Sequence, residues 1–445
     1  VPFYKSAWAG LRVRTAHMDL PISIAIGVTF IVGGVNTYLG SESIYFDSVT
    51  VLVFLLLLSR GLQNYSLDQV RRTIEKETSL TVTQIKDHRK RKRDYSLKDC
   101  IMGAVAMFSL KDPSLLSFVS NYVSRKSNLE EVYKIESIPS ESGLRKILDP
   151  VEPDTLLPCF QTLLGEVANQ GLMEKYTIAG HLAISMDATG YFCSNEISCP
   201  CCMVKKRKKN GKTYNEYYHQ LLAACIVHPE HKTVFPVFGE AITKQDGSKK
   251  NDCERNASKR LLPNIRKLLP DQKLLILLDA LYADGPTIKA LLSHKMDFIT
   301  VIKEGYVLVQ VDKLKETNSL KSHAWKKEKH IHCSVKWVND LVLNGANQDI
   351  EVHYLEYEEL DERTNKTLYS NKWITNIEIN KKNVAEFTTA CRSRWKIENE
   401  TFNTLKNQGY KLEHNFGHGK KNLSTNFALL MLIAFFIDQM TQALD

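Results

Sequence analysis

Apolar and polar positions divide the chain into stretches of different character. Residues 21–39 carry no charged side chain and residues 48–59 are almost wholly apolar, so each predicts an apolar helix. From residue 66 to about 175, apolar residues recur at helical spacing, with Ser96 as a candidate N-cap and Pro113 as a break. We therefore expect a small helical region behind an N-terminal pair of apolar, membrane-like helices.

Short apolar runs typical of strands begin near residue 180. Three strand candidates, a helix, a fourth strand, a helix and a fifth strand follow one another up to residue 304, which predicts an α/β domain with a mixed sheet. This order resembles an RNase H-like core. Residues 305–378 are rich in Val, Tyr, Trp, Thr and His and predict an inserted all-β subdomain.

Helical spacing resumes after residue 379, and the apolar run 427–437 is short for a membrane span, so we expect it to pack on the core. The predicted organisation is an apolar segment, a helical region, the first part of the catalytic core, the β-rich insertion and the C-terminal part of the core. These regions comprise residues 1–65, 66–175, 176–304, 305–378 and 379–445.

Charge and cysteine content restrict the class of protein. The 445 residues carry a formal net charge of +9, which favours an anionic partner, with nucleic acid before an acidic membrane surface. The ten cysteines are scattered except for one cluster, which argues against a disulfide framework and for a reducing compartment. No secretory cleavage pattern is visible, so we expect the main body in the cytoplasm, associated with the nucleoid.

Two aspartates follow apolar runs. Asp187 stands in "AISMDATG" and Asp279 in "KLLILLDALYAD", each where a predicted strand ends. Either residue alone is weak evidence, because aspartate at a strand end is commonly a turn former or a helix cap. Together they place two carboxylates where side chains project from a sheet edge.

A third carboxylate is expected in "RWKIENETFNTLK", residues 394–406. On an ideal helix, which turns by about 100° per residue, Glu398 lies about 40° from Arg394 and about 80° from Lys406. On the same geometry Glu400 lies about 120° from both basic residues. We therefore take Glu398 as the third carboxylate and Glu400 as the alternative.

Three such carboxylates suit two Mg²⁺ ions, with Mn²⁺ as the alternative, because hard divalent cations prefer oxygen ligands. Nearby cations would then bind DNA phosphates. The candidates for that role are Arg394, Lys396, Lys406 and Lys420. The other interpretation of this helix is an exposed face of ion pairs.

The motifs "DATG", "LLDALYAD", "RSRWKIENETFNTLKNQGY" and "EHNFGHG" resemble DDE transposases of bacterial insertion sequences, of the insertion-sequence-4-type group with the signature Y-x2-R-x3-E-x6-K. The resemblance covers about residues 66–445. It implies that Asp187, Asp279 and Glu398 bind the metal and that Arg394 is the signature arginine. Two positions depart from the signature: Cys391 replaces the tyrosine, and the lysine stands one residue late, at position 406.

The resemblance also implies an RNase H-like fold and an activity. The expected activity is metal-dependent hydrolysis of DNA at the element ends, followed by attack of the freed 3′-hydroxyl on target DNA. The implied partners are double-stranded DNA, both terminal inverted repeats and target, and a second copy of the chain in a homodimer. An inactive DNA-binding remnant is an alternative.

The N-terminal segment carries a different resemblance. "RTAHMDLPISIAIGV" and "YFDSVTVLVFLLLLSRGLQ" are similar to early membrane helices of heavy-metal P-type ATPases. A DKTGT-type phosphorylation motif occurs nowhere in the chain, so this similarity implies only a fragment of such a pump. It predicts membrane association of residues 1–65, and a membrane protein fragment related to these pumps is a further alternative for the whole chain.

Cysteines cluster in "CSNEISCPCC", where Cys199 and Cys202 have the C-x2-C spacing of zinc ligands. His219 and Cys253 are further candidate ligands, whereas His418 lies far along the chain. Without a second C-x2-C pair, reduced structural cysteines are the first interpretation and a zinc site is the alternative.

Three runs of basic residues are further candidates for contact with DNA. "KKRKKNGK" (205–212) is expected to be an exposed loop next to Asp187 that contacts DNA. "GHGKK" (417–421) is expected to contact phosphates, and "KDHRKRKR" (86–93) is either a solvated linker or a DNA-contacting segment.

Overall fold

The computed structural model describes residues 19–40, 46–90, 94–244, 252–328 and 330–444. The chain divides into two compact units after residue 70. The first unit contains α1 (Asp19–Tyr38) and the start of α2 (Phe46–Thr83). The described residues do not form the predicted pair of separate apolar helices. Residues 48–59 belong to the 38-residue α2, which continues into charged sequence because no proline interrupts it.

Short helices occupy the region predicted to be helical. Ser96 caps α3, its Oγ accepting a hydrogen bond of 2.9 Å from the Asp99 N–H, so the predicted N-cap is confirmed. Helix α3 ends before Pro113, and Ser114 caps the next helix. The helices of this region are α3 (Leu97–Ser109), α4 (Leu115–Ser120), α5 (Tyr122–Tyr133), α6 (Glu141–Leu148), α7 (Leu157–Asn169) and α8 (Leu172–Lys175).

One mixed sheet of eleven strands runs through the second unit. Its order is β3-β4-β2-β6-β7-β11-β10-β9-β8, with β1 paired to β2 and β5 paired to β4. The strands are β1 (Thr177–Ile178), β2 (His181–Ser194), β3 (Met203–Lys209), β4 (Lys212–Ile226), β5 (Phe235–Ile242), β6 (Leu274–Leu278), β7 (Asp297–Val301), β8 (Lys321–Glu328), β9 (Ile331–Asn344), β10 (Asn347–Asp361) and β11 (Lys366–Thr375).

The core of this sheet has the predicted succession of elements. Strands β2, β4 and β5 pair antiparallel, then α9 (Glu254–Leu268), β6, α10 (Gly285–Ser293) and β7 follow. The β2–β6 and β6–β7 pairs are parallel. Fully buried runs such as Leu274–Leu278 are typical of parallel strands covered on both faces.

The run 205–212 differs from its prediction. It forms the β3–β4 hairpin instead of a loop, because Asn210 and Gly211 both adopt positive φ, at 51° and 76°. This is the backbone of a two-residue type I′ turn, which matches the twist of the paired strands. The lysines therefore lie on a regular exposed strand.

The β-rich region also differs from its prediction, because it begins with α11 (Tyr306–Glu316). Val307 and Val311, four residues apart, are buried on one face of that helix. The four strands that follow are antiparallel, and β11 pairs with β7. The region thus extends the central sheet.

The C-terminal part contains α12 (Val384–Arg392), a 3₁₀ turn (Ser393–Trp395), a π-helix (Ile397–Phe402), α13 (Asn403–Asn407) and α14 (Leu423–Leu444). Among the described helices, only α14 has the length and composition to cross a membrane, and 72% of its apolar window is buried within the chain. It packs against α3 and β5, as expected for the run 427–437.

Candidate active site

Asp187 and Asp279 lie on neighbouring parallel strands. The β2–β6 register ends at the pair Ser185 and Leu277, and each aspartate stands two residues further along its own strand direction. Side chains two residues apart point to the same face, and adjacent strands are about 4.8 Å apart. The register therefore brings both carboxylates to one face of the sheet at one level.

The structural setting of Asp187 differs from the prediction that it ends a strand. It lies in the interior of β2, which continues to Ser194 because β4 still pairs with it beyond the end of the β6 ladder. Only the parallel pairing ends before Asp187. Asp279 follows directly after β6, as predicted, and its side chain caps a 3₁₀ turn by accepting 2.9 Å from the Leu281 N–H.

Glu398 stands near the start of the π-helix Ile397–Phe402, so the ideal α-helical geometry assumed for this segment is wrong. π-helical turns are rare and occur frequently at functional sites. The expected proximity of Glu398 to Arg394 is nevertheless present, as an ion pair of 3.0 Å between Oε1 and Nη1. Lys406 instead pairs with Glu413 at 3.0 Å.

Arg394 joins the first and third carboxylates. The same Nη1 that contacts Glu398 lies 3.6 Å from Asp187 Oδ2. The arginine side chain is only 13% exposed, and its carbonyl oxygen accepts 2.9 Å from Ser185 Oγ on β2. The contact of Arg394 with a DNA phosphate stays a prediction; in the structure its guanidinium lies on the two carboxylates and its carbonyl oxygen joins the segment before the π-helix to the sheet.

The electrostatics of the site favour a cation. Burial raises the pKa of Asp187 from its usual 3.8 to about 7, and the nearby carboxylate of Glu398 also raises it. The Ala188 N–H, 2.9 Å from Asp187 Oδ1, and the charge of Arg394 act in the opposite direction. Burial and, to a smaller extent, the neighbouring acid disfavour the charged form of Asp187, so positive charge nearby favours its ionisation.

Two further residues belong to the surroundings of Asp279. Burial raises the pKa of Glu254, in the first turn of α9, and the charge of Asp279 contributes. Tyr282 is 1% exposed, and its hydroxyl has no hydrogen-bond partner within the described residues. Burial raises the pKa of Tyr282, as do the charges of Glu254, Asp279 and Asp187. The sequence analysis missed both residues.

The remaining predicted cations and the alternative glutamate have other environments. Lys396 Nζ donates 2.7 Å to the His231 carbonyl oxygen. Lys420 is exposed, and its backbone N–H donates 2.9 Å to the carboxylate of Asp149. Glu400 is half-buried and makes no side-chain hydrogen bond or ion pair in the part of the chain that the structure describes.

The donor set fits a divalent metal ion. Carboxylate oxygens from Asp187, Asp279 and Glu398 are the ligands that hard cations prefer. The guanidinium of Arg394 already places a positive charge 3.6 Å from Asp187 Oδ2, the sign of charge that a metal ion would bring. The residues at this site are thus chemically suited to a divalent cation.

The structure also brings together the residues of a candidate zinc site, which the sequence analysis gave as the alternative to reduced cysteines. Donor atoms of Cys199, Cys202, His219 and His418 lie within 4.8 Å of one another. His418 therefore joins this group in spite of its distance along the chain, whereas Cys253 is exposed and outside it.

Most of the central sheet and of the C-terminal helices lies within the range of a known family model. Residues 181–436, more than half of the chain, match the family model described as "Transposase DDE domain". The matched range contains the β2, β6 and π-helix positions of the three carboxylates.

Short similarities link the chain to a second kind of protein. The nitrogen fixation protein FixI of Bradyrhizobium diazoefficiens is 39% identical over 61 residues, which are 14% of this chain and 8% of that protein. FixI of Rhizobium leguminosarum bv. viciae is 35% identical over 72 residues, which are 16% of this chain and 10% of that protein. The chain thus spans a tenth or less of the length of these curated relatives.

Proposed function

The chain belongs to the family of the transposase DDE domain, and from this premise we propose that it cleaves DNA at the ends of an insertion sequence and transfers the freed 3′ ends to target DNA. The observation that carries the proposal is the shared register of Asp187 and Asp279, with Glu398 joined to Asp187 through Arg394.

The three carboxylates would hold Mg²⁺, or Mn²⁺ in its place. Such ions, when bound, activate the attacking water or hydroxyl group and stabilise the leaving oxygen of the phosphodiester. Burial and the neighbouring Glu398 raise the pKa of Asp187 to about 7, so its carboxyl group is partly protonated near neutral pH and a bound cation would favour the ionised form. Arg394 orients the Asp187 and Glu398 carboxylates toward each other.

The finer assignments are part of the same proposal. The strand succession of the core supports an RNase H-like fold, with the β-rich strands 321–375 inserted between Asp279 and Glu398. We assign the chain to the insertion-sequence-4-type group on the spacing of Arg394 and Glu398. Recognition of terminal inverted repeats and action as a homodimer complete the proposed function.

End cleavage by the full-length chain tests this proposal. A labelled duplex with the element's own terminus is incubated with Mg²⁺, Mn²⁺ or EDTA, beside a duplex of scrambled sequence. We expect nicking at the terminus that requires the metal and disappears in Asp187→Asn and Asp279→Asn. The matched control Asp271→Asn, an exposed aspartate ahead of β6, should cleave normally.

Binding of the same duplex is measured alongside cleavage by the two site variants. The proposal requires that DNA binding is retained when cleavage is lost. Binding by the wild type without metal-dependent nicking would instead support an inactive remnant. Nicking that survives both aspartate substitutions would contradict the assignment of the site.

A second candidate function, attachment to a membrane, concerns the N-terminal unit. It is motivated by apolar side chains of α1 such as Phe30 and Ile31, which are 62% and 66% exposed, and by the proposed relation of residues 1–65 to pump membrane helices. Flotation of the full chain with anionic liposomes tests it. Recovery of the chain only in the unbound fraction, at low and high salt, would rule this attachment out.

A further inference from the structure

A second cluster of chemically active side chains lies apart from the three carboxylates. Cys199 and Cys202 come from the turn between β2 and β3, His219 from the middle of β4, and His418 from the loop before α14. Cys202 is fully buried and His219 is 2% exposed. Three separate segments thus deliver two sulfur and two nitrogen donors to one point.

The contacts around His219 do not form an ordinary hydrogen-bond network. Its Nε2 lies 3.3 Å from Cys199 Sγ, 3.2 Å from Cys202 Sγ and 3.2 Å from His418 Nδ1. An imidazole nitrogen has either one proton to donate or one lone pair to accept with. Three polar atoms at such distances from one nitrogen are explained by a common ligand at the centre.

The separations match tetrahedral zinc coordination. With Zn–S bonds of about 2.3 Å and Zn–N bonds of about 2.05 Å, tetrahedral donors stand about 3.8 Å apart for two sulfurs, about 3.5 Å for sulfur and nitrogen, and about 3.3 Å for two nitrogens. The observed separations are 3.4 Å between the two sulfurs, 3.2–3.3 Å between sulfur and His219, and 3.2 Å between the two imidazoles. Each agrees to within about 0.4 Å.

Neighbouring groups contact the donor side chains. The Cys199 N–H donates to Cys202 Sγ at 3.3 Å, as backbone amides do toward metal-bound thiolates. The ring of Tyr191 stacks on His219, and the ring of Phe192 meets His418 edge-on at 3.9 Å between centroids. The 3.4 Å between the two sulfurs is far longer than a disulfide bond of about 2.05 Å.

From these observations we propose that Cys199, Cys202, His219 and His418 form a structural Zn²⁺ site. Two thiolates and two imidazoles in tetrahedral arrangement favour Zn²⁺ over Mg²⁺ or Ca²⁺, which require oxygen ligands. Four protein ligands leave no open position, so this ion would be structural and not catalytic.

The ion would join parts of the chain that are remote in sequence. His219 and His418 are 199 residues apart, and the ion connects the base of the β3–β4 hairpin to the loop 417–421. In that loop Gly419 has φ 64°, and a Cβ atom there would lie 2.1 Å from Asp149 Oδ1, so only glycine allows this path. Both joined segments carry lysines, and we infer that the ion fixes two basic surfaces relative to each other.

Metal content of the untagged full chain tests the proposal. Elemental analysis after purification should give about one zinc per chain for the wild type. Cys202→Ser and His418→Asn should contain less than about a tenth of that. Cys193→Ser, which removes an exposed thiol of β2, and Asp187→Asn, which alters the carboxylate site, should retain the wild-type content.

Cobalt replacement and proteolysis give readouts that do not depend on a variant folding. Wild-type protein stripped with a zinc chelator and loaded with Co²⁺ should show the visible absorption of tetrahedral cobalt with thiolate ligands. Stripping should also speed tryptic cleavage after Lys420 and Lys421, and added Zn²⁺ should reverse this effect.

A wild-type chain that contains no zinc and takes up no tetrahedral cobalt would overturn the proposal. Equal zinc content in Cys202→Ser, His418→Asn and Cys193→Ser would overturn the ligand set. Because Asp187→Asn leaves this site intact, loss of DNA cleavage in that variant and loss of zinc in the cysteine variants are separate outcomes.

Discussion

At the scale of single residues, the guanidinium of Arg394 is the charged partner of two of the three carboxylates. Arg394 Nη1 lies 3.0 Å from Glu398 and 3.6 Å from Asp187, where positive charge offsets the repulsion between the two acids. In the absence of a metal ion, Arg394 thus supplies part of the positive charge that a divalent cation would otherwise provide.

Substitution of this arginine should therefore affect the metal-free protein most. We expect Arg394→Gln to lower the free energy of unfolding in EDTA by about 1–3 kcal/mol, because two partly buried carboxylates lose their charged partner. The stabilisation by added Mg²⁺ should be larger in the variant than in the wild type. Denaturant unfolding with and without Mg²⁺ measures both; equal stabilisation in the two proteins would contradict this role.

The raised pKa of Asp187 predicts how stability depends on pH. Its pKa is about 7 in the folded protein and about 3.9 in the unfolded chain, so between these values the folded state binds the extra proton. Stability of the metal-free protein should therefore fall as pH rises from about 4 to about 7, by at most about 1.4 kcal/mol per pH unit from this group.

The measurement is unfolding in EDTA across that pH range for the wild type and Asp187→Asn. The variant cannot ionise at this position, so the difference between the two proteins isolates the contribution of Asp187. Identical slopes for the two proteins would show that this carboxyl group does not hold a proton in the folded state.

Residue types at the ends of apolar runs were enough to select Asp187 and Asp279, because burial patterns of strands are visible in sequence. Glu254 was not visible in this way. It stands in the first turn of a helix, where an acid is expected for electrostatic reasons alone. Only the packing of α9 on β5 and on α10 places it near Asp279.

At the scale of elements, the β3–β4 hairpin presents a row of cations. Its residues 205–209 are exposed, and Arg207 pairs with Glu216 at 3.1 Å. The Asn-Gly turn that fixes the hairpin was readable in the sequence as a hairpin signal. The dense positive charge of this run led to the prediction of an exposed loop instead.

The hairpin lysines should contribute sequence-independent affinity for DNA. Lys206→Gln with Lys208→Gln should weaken binding to specific and scrambled duplexes alike. The slope of log affinity against log salt should decrease by up to about 1.8, at about 0.9 per lost phosphate contact. Binding titrations at several salt concentrations measure this change.

The control for that experiment has the same change in net charge at other elements. Lys366→Gln with Lys381→Gln removes two exposed lysines from the start of β11 and the turn before α12. If this control lowers the salt slope as much as the hairpin variant does, the effect is one of total charge and the hairpin has no special role.

The sequence pattern did not predict the conformation of two helices, α11 and the π-helix around Glu398. The composition of residues 305–378 predicted strands throughout, yet Val307 and Val311 are buried on one face of α11 while Val309 is 53% exposed. The π-helix around Glu398 has no distinctive composition, because its extra residue per turn results from tertiary packing.

At the scale of the whole molecule, the sheet and the clusters depend on contacts between remote segments. The succession of strands and helices along the core was predictable from the apolar runs, whereas the order of the strands in the sheet was not predicted. The pairing of β11 with β7 and the meeting of His219 with His418 were not predictable, because contacts between segments far apart in the chain leave no mark on local sequence. The π-helix that carries Glu398 packs on β2 and β4, and His418 reaches His219 from the loop before α14.

The central claim is that Asp187, Asp279 and Glu398 together bind the divalent metal ion that DNA cleavage requires. The most direct test compares Glu398→Gln with Glu400→Gln, two equal changes two residues apart, in Mg²⁺-dependent nicking of the element's own end by the full chain. We predict that Glu398→Gln lowers the rate by more than about 100-fold, as expected for loss of a metal ligand, while Glu400→Gln stays close to the wild type. A larger loss in Glu400→Gln, or full activity in Glu398→Gln, would contradict this account.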